Sequence, residues 1–429
     1  MFNININKIL TICLFCVAGI SLFFPGTACA QQTQTPATAA QTLKDYFILA
    51  LQNSEKIAIS EETVRQAEAL YRETLGGSFP KVTYRREASL EDHGDDSQEG
   101  MFRITKTDLT GYRELAAIRA GRSTISQRQF ERERVEQLLL LDVAQTFYSI
   151  LSAEENVATT NKLIALAQER LQELEERVRI GRARQADAIA QQALIASLES
   201  QGEESTRQVN ARRDLLAFLI SVATLDHKVQ DSPIIMQAQS LENYLGKADT
   251  RPDIQAAREN LNVVKGDQKL ARSEYFPSLN AAANSYTDRP SSQEEVDWDV
   301  TLSVDMPLWD WGSRRGTLKA ANSVVAQFEK NLQFVTRQAD LEIRNAYRDY
   351  ESAKKQLDIQ TKSVELARQN YEIQVEDDHQ GLVSNLDVFE SLDRLNNAEL
   401  GFNNARLQEK LTAINLEITS GAKPAEILP

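Results

Sequence analysis

The segment Val296–Gly312, "VDWDVTLSVDMPLWDWG", differs in kind from the sequence around it. Trp298, Val300, Leu302, Val304 and Met306 recur at every second position, with Asp297, Asp299, Thr301, Ser303 and Asp305 between them. A period of two describes a strand with one apolar and one acidic face. On both sides the sequence has helical character. The three tryptophans of the chain, Trp298, Trp309 and Trp311, bracket this strand. The separation of eleven positions from Trp298 to Trp309 extends about 36 Å as a strand, or about 26 Å when tilted by roughly 45°, close to the apolar band between the aromatic girdles of a membrane barrel. A polar inner face and a lipid-facing outer face therefore explain the alternation, and the tryptophans read as girdle residues.

Working outward, the chain repeats itself with a shift of 200 residues. Val143 falls on Ile343, Phe147 on Tyr347, Ala153 on Ala353, Gly181 on Gly381 and Asp187 on Asp387. "IRAG" at Ile118 falls on "LKAA" at Leu318, and Phe79-Pro80 falls near Phe276-Pro277. A unit this long is a duplicated domain half rather than a solenoid repeat. Each copy predicts a helix ending at an aromatic-proline pair, two strands, a very long helix, a glycine break and a return helix. The strands are expected at about 81–91, 101–110, 278–288 and 296–306. The long helices are expected over about 112–180 and 315–380. The second strand alternates weakly, because Lys106 and Asp108 follow Phe102 and Ile104 on one face; the third carries small residues on both faces.

The long helices carry an apolar stripe with alternating four- and three-residue steps. In copy two it runs Ala339, Ile343, Ala346, Tyr350, Ala353, Leu357 and on to Tyr371; copy one matches it from Leu139 to Leu171. A 3.5-residue period means left-handed supercoiling against neighbours. Helices near 69 residues form rods on the order of 100 Å, too long to bury within one globular core.

The N-terminus has an early Lys8, an apolar run to Phe24 and a small-residue end at Ala28-Cys29-Ala30, the pattern of a secretory signal. Cleavage after Ala30 is expected, since the lipoprotein pattern would want a bulky residue where Gly26 stands. Cys13, Cys16 and Cys29 all lie in this segment, so the remainder offers no thiol chemistry. The net charge of −14 disfavours nucleic acid and anionic lipid as partners. The three histidines, His93, His227 and His379, have no metal-ligand spacing, and no phosphate loop or nucleophile elbow occurs. Neither an enzyme nor a cofactor or metal site is expected. The organisation is therefore a signal (1–30), a polar leader (31–41), a first repeat (42–222), a bridge (223–250), a second repeat (251–421) and a tail (422–429).

Four strands cannot close a barrel, and open strand edges are not tolerated in lipid. Three copies would give twelve strands. A secreted coiled-coil scaffold or periplasmic adaptor is the competing reading, since the rods alone fit it.

Several segments resemble the TolC-like outer-membrane efflux proteins. They are "TLKDYFILALQNSEKI", "RPDIQAARENL", "FPSLNAAANSY", "VDMPLWDWGSRRGTLKAA" and "GLVSNLDVFESLDRLNNAEL", in that order and duplicated across about 41–421. The resemblance implies a mainly α chain with a small β part. It implies a homotrimer with a twelve-stranded transmembrane β-barrel, four strands per chain, continued by a periplasmic helical barrel of coiled-coil helices. The implied setting is the outer membrane and its lipid. The implied partners are an inner-membrane pump and a periplasmic adaptor, with substrate passing without chemistry.

Candidate working residues follow. Gly181 and Gly381 suit tight reversals between helices, and with Arg182, Leu382 and Val383 they form candidate adaptor-docking tips. Asp387 and Glu390 share a helix face, with Asp187 as the copy-one counterpart of Asp387. The resemblance places such acids near the closed end of the channel, where three-fold symmetry makes each a ring that raises its own carboxylate pKa values and binds cations. The family's arginine-type latch position is Val383 here, leaving Arg182 and Arg184 as substitutes. Pro307 and Gly312 suit the turn from strand to rod, and Thr107 stands in the place of Pro307 in copy one.

Overall fold

A computed structural model describes residues 42–89, 97–107, 112–225, 229–231, 239–288 and 296–428. The signal, the leader, the three cysteines, His93, His227 and Asp108 lie outside the described residues. The elements run α1 (Leu43–Asn53), α2 (Glu55–Gly77), β1 (Lys81–Ser89), β2 (Ser97–Lys106), α3 (Tyr112–Arg179) and α4 (Gln185–Leu219). After the bridge come α5 (Leu241–Gly246), α6 (Pro252–Ser273), β3 (Ser278–Asp288), β4 (Trp298–Asp305), α7 (Ser313–His379), α8 (Asn385–Thr419) and α9 (Pro424–Ile427).

The duplication is structural: α4 and α8 begin and end 200 residues apart. Differences from the sequence reading are local. The strand β2 starts at Ser97, because the antiparallel register with β1 carries Ser89 onto Ser97 across the turn. The bridge contains α5 and a short 3-10 turn, Ala248–Thr250, and the tail contains α9. The opening helix of copy one is two helices, broken at Ser54, whose extended backbone (ψ 124°) interrupts the helical path.

The strands form one antiparallel sheet in the order β1-β2-β3-β4. Directly paired residues share a face, so the register sets the sidedness. Val82 pairs with Ile104, Tyr84 with Phe102, Ala283 with Val300 and Leu279 with Val304. The large apolar side chains of this face, in β1, β2 and β4, are 47–66% exposed. A water-facing globular sheet does not present such a continuous apolar face.

The opposite face is tied by polar side chains running across three strands. Arg103 Nε donates to Asn284 Oδ1 (2.8 Å), Asn284 Nδ2 to Asp299 Oδ1 (2.9 Å) and Tyr286 Oη to Asp299 Oδ2 (2.5 Å). Asn280 Nδ2 donates to Asp305 Oδ2 at 2.9 Å. The small residues of β3 thus alternate properly: Leu279, Ala281 and Ala283 belong to the apolar face, and Asn280 and Asn284 to the polar one.

Lys106, which weakened β2 in the sequence, stands opposite Ala281 on that face, but its side chain turns to the helices. It is 9% exposed, donates to the Gly77 carbonyl (3.1 Å) and pairs with Glu114 in the first turn of α3. It works as a joint between strand and rods.

The rods pack through the expected stripe: Leu139, Val143, Ile150 and Ala153 of α3 and Ala339, Ile343, Ala346 and Tyr350 of α7 are buried. The main core lies midway along α3, where Leu140 and Phe147 meet Tyr46 and Phe47 of α1, Leu216 of α4 and Ile414 of α8. A second cluster, with Leu163, Ala167, Leu194 and Leu392, lies towards the hairpin turns. Among the described residues no helix is long and apolar enough to cross a membrane.

Arg251 pins the second repeat to the rods. It is 1% exposed, and its guanidinium donates to Asp253 (2.6 and 3.0 Å), Glu342 of α7 (2.7 Å) and the Thr419 carbonyl of α8 (3.0 Å). The following Pro252 occupies N1 of α6, where a missing N–H costs nothing.

Candidate functional site

The far end of the rods carries two hairpin turns with one design. In copy two the helix α7 stops at His379, and Gly381 takes φ +76°. Leu382 N–H then reaches Asp377 O (2.9 Å) and Gly381 N–H reaches Asp378 O (3.0 Å), the paired bonds of a Schellman stop. In copy one Gly181 (φ +73°) does the same, with Arg182 N–H to Arg177 O (2.7 Å) and Gly181 N–H to Val178 O (3.0 Å). Any side chain with a Cβ would be strained at these positive φ values.

Asp387 and Asp187 sit one turn into the return helices, where they bind backbone. Asp387 Oδ2 accepts from Ser384 N–H (2.9 Å) and Ser384 Oγ (2.6 Å). These bonds, the side-chain one first, hold its carboxyl below the usual aspartate range. Asp187 accepts from Arg184 N–H (3.3 Å) and from Arg184 Nη2 (2.9 Å). At Asp387 the raised pKa expected of an acidic ring is therefore opposed, within each chain, by capping. Glu390, one turn further, pairs with Arg394 at 2.9 Å and remains exposed.

Ile180, Leu382 and Leu386 project at the two turns, each at least 60% exposed, beside exposed Arg182; Val383 is half-buried. The turns thus present apolar side chains and a cation on rigid, capped hairpins.

Just above them lies a cluster that the sequence did not reveal. Asp378 (8% exposed) accepts from Arg170 (5% exposed) and from Arg177 Nη1 (2.8 Å). Glu173 accepts from Arg170 Nη1 (2.6 Å) and pairs with Arg177. His379 Nδ1 lies 2.8 Å from Arg177 Nη2 and 3.1 Å from Glu173 Oε1. Burial disfavours the charge of Arg170, but Asp378 and Glu173 outweigh it and hold the guanidinium ionised. Arg170, Glu173 and Arg177 share a helix face at three- and four-residue spacing. That spacing was the available signal; that α7 ends against this face was not readable.

At the other end, the copy-two joint turns on Asp310. Its carboxylate accepts from Gly312 N–H (3.1 Å), Arg314 N–H (2.9 Å) and Arg314 Nε (2.6 Å). The Arg314 side chain first, then its backbone, lowers the Asp310 pKa to about 2. Arg314 Nη1 also donates to the Pro307 carbonyl (2.9 Å), and Trp311 and Gly312 take φ +56° and +89°. Pro307 and Gly312 thus belong to one hydrogen-bonded turn. Trp298 opens β4, and Trp309 and Trp311 follow it with their rings edge to face at 5.7 Å. All three are exposed, at 63%, 75% and 90%.

The sheet, duplicated rods and capped turns match known proteins. Residues 248–422 match the model of the outer membrane efflux protein family. The outer-membrane channel OprN has a TM-score of 0.78, covering 89% of this chain and 90% of its own at 18% identity. VceC of Vibrio cholerae has a TM-score of 0.78, covering 89% of this chain and 96% of its own at 16% identity.

The fold is TolC-like.

The pyoverdine export outer membrane protein OpmQ of Pseudomonas aeruginosa is 26% identical over 58% of this chain, an alignment spanning 56% of OpmQ. The toluene efflux pump outer membrane protein TtgF of Pseudomonas putida is 22% identical over 69% of the chain and 66% of TtgF. The mainly helical TolC-like fold with its four-stranded sheet thus stands as the sequence implied.

Proposed function

We propose that this chain is one of three identical subunits of an outer-membrane exit duct. The duct passively conducts substrate from an inner-membrane pump, through a periplasmic adaptor, to the outside. The sheet carries the proposal. It has a continuous exposed apolar face, a cross-bonded polar face, and two outer strands, β1 and β4, with open edges. Strands of 8 to 11 residues are the right length to cross a bilayer, and lipid does not tolerate open edges. Pairing β4 of one copy with β1 of the next removes every edge. Trp298 marks one boundary of the apolar band, and Trp309 and Trp311 the other. The hairpin tips, with Gly181, Arg182, Gly381, Leu382 and Val383, form the adaptor-docking end. Asp387 and Glu390, with Asp187 on the companion hairpin, line its narrowest part. The secreted scaffold reading leaves the apolar sheet face without a purpose.

Cell fractionation with unheated and heated denaturing gels tests the proposal. The expected result is an outer-membrane species that runs as a trimer until heated, begins at Gln31 and conducts ions in planar bilayers. Recovery as a soluble periplasmic monomer refutes it.

A further inference from the structure

Charge is unevenly placed along the rods. Acids outnumber bases 62 to 48 in the whole chain, yet α3 carries no acid from Leu115 to Phe130, and α7 none from Ser313 to Phe328. Both stretches lie next to the sheet, and acids resume only at Glu131 and Glu329. The basic residues here fall into stripes with three- and four-residue steps. On α3 the stripe runs Tyr112, Leu115, Arg119, Arg122. On α6 it runs Lys265, Lys269, Arg272, with Phe276 just past the helix end; on α7 it runs Arg315, Lys319, Asn322.

Contacts place the three stripes on one side of the helix layer. Gln268 Nε2 of α6 donates to Asn322 Oδ1 of α7 (2.8 Å), and Lys265 pairs with Glu329 at 3.7 Å. Arg272 is one turn nearer the sheet than Gln268, and Lys319 one turn nearer than Asn322. The Phe276 ring stacks on Tyr112 at the head of the α3 stripe (6.4 Å). Asp267 and Glu274 fall on the opposite side of α6. The α3 stripe continues in the same steps to Glu133, Glu136 and Leu140, where other elements cover it. Glu133 and Glu136 share a groove with Lys44 and Phe47 of α1 and Pro424 of α9, and Leu140 packs with Phe47. A second layer laid on the wall of a conduit has to sit outside it, so the basic stripes look away from the channel.

We propose that this basic belt binds the headgroups of anionic phospholipids in the periplasmic leaflet of the membrane. Position and charge identify the occupant. Tyr112 and Phe276 are 67% and 53% exposed, as aromatic side chains at the lipid–water boundary are. Arg272 stands four residues, about 6 Å, from Phe276, and Arg119 seven residues, about 10 Å, from Tyr112. The headgroup layer extends about 5–8 Å beyond the hydrocarbon, so these side chains reach it. Arg119, Arg122, Lys269, Arg272, Arg315 and Lys319 are all exposed. Arg122 is steadied by Tyr71, whose hydroxyl accepts from its Nε at 2.9 Å. Guanidinium forks suit phosphate oxygens, and clustered cations at a membrane surface select anionic headgroups. The overall charge argued against anionic lipid, but beyond a Debye length of about 8 Å the distant acids are screened and the local cations decide. The proposal rests on the outer-membrane reading and adds a lipid preference to it.

Native mass spectrometry of the purified trimer, titrated with dioctanoyl phosphatidylglycerol or dioctanoyl phosphatidylcholine, tests this. The anionic lipid should bind about 100-fold more tightly at low salt and lose that advantage as salt rises. The variant Arg119→Gln/Arg272→Gln/Lys319→Gln should lose most of the preference. Lys269→Gln/Arg315→Gln/Lys319→Gln should do the same, which guards against one variant failing to assemble. Arg207→Gln/Arg344→Gln/Arg348→Gln removes as much charge lower on the rods and should keep the preference. Equal binding of the two lipids by the unmodified trimer overturns the proposal and leaves the duct standing. So does a preference that survives in both belt variants, or one that the control variant loses equally. Belt variants that keep the preference but shift the reversal potential in planar bilayers place the cations in the channel and overturn it too. Retention on isolated peptidoglycan sacculi without any lipid preference assigns the belt to the cell wall instead. Absence of any trimer in the unmodified chain overturns both readings.

Discussion

Asp378→Leu is the most informative single change near the hairpin turns. Asp378 is 8% exposed and is shared by Arg170 and Arg177, so removing it leaves two guanidinium groups facing one another across a buried gap. Removing one partner of a buried pair costs about 3–5 kcal/mol. Glu173 still holds Arg170 at 2.6 Å, which places the loss at the lower end. About 3 kcal/mol corresponds to a roughly 100-fold rise in local opening, at about 1.4 kcal/mol per tenfold. Amide hydrogen exchange on the solubilised protein, followed by mass spectrometry, reads this directly in peptides from the ends of α3 and α7. Peptides from the mid-rod core should not change. The double variant Arg170→Met/Asp378→Leu should recover most of the protection, because an apolar pair of similar volume leaves no orphaned charge. A change below about threefold in the single variant, or a double variant less protected than the single, would refute the claim that this cluster holds the two hairpins together at their ends.

Arg251→Lys keeps the charge but loses the fork that spans Asp253, Glu342 and the Thr419 carbonyl; the cost should be about 2–4 kcal/mol, read as a lowered thermal midpoint. Burial alone would raise the Asp253 pKa, but the bonds from Arg251 outweigh it and the folded value is depressed. Its contribution is therefore present above the ordinary aspartate range and lost as pH falls through the folded value, so Asp253→Asn should flatten the acid limb of the stability curve below about pH 4. Leu302→Arg on the apolar face should cost about 2–4 kcal/mol of insertion, while Ser303→Arg on the polar face should be tolerated; the yield of heat-sensitive trimer in vesicles separates them. Asp387→Asn with Glu390→Gln should lower cation preference in planar bilayers, and an unchanged reversal potential would remove both acids from the pore.

Local pattern made much of this architecture legible. The alternation of β4, the stripe from Ala339 to Tyr350 and the glycines at 181 and 381 each report on a face or a turn through neighbouring residues alone. The weaker strands were harder to read, for a physical reason. Lys106 spoiled the alternation of β2 because it serves the helix joint, and the sidedness of β3 became clear only from its partners, Val300 beside Ala283 and Val304 beside Leu279. The Arg170–Asp378 cluster was out of reach, since it depends on where the end of one rod lies against another. Asp387 carries a second role that the family pattern did not signal: besides the place near the channel that the resemblance implies, its carboxylate caps α8 through Ser384.

The strand-to-rod joints of the two repeats are chemically unlike. One is a lysine drawn inward to a glutamate and a carbonyl; the other is an aspartate wrapped by the arginine that follows it. In the proposed ring of three copies, six such joints would alternate between two chemistries. The collar between membrane and rods would then repeat three times around the circumference rather than six, with a lysine joint and an arginine-wrapped aspartate joint at alternate positions.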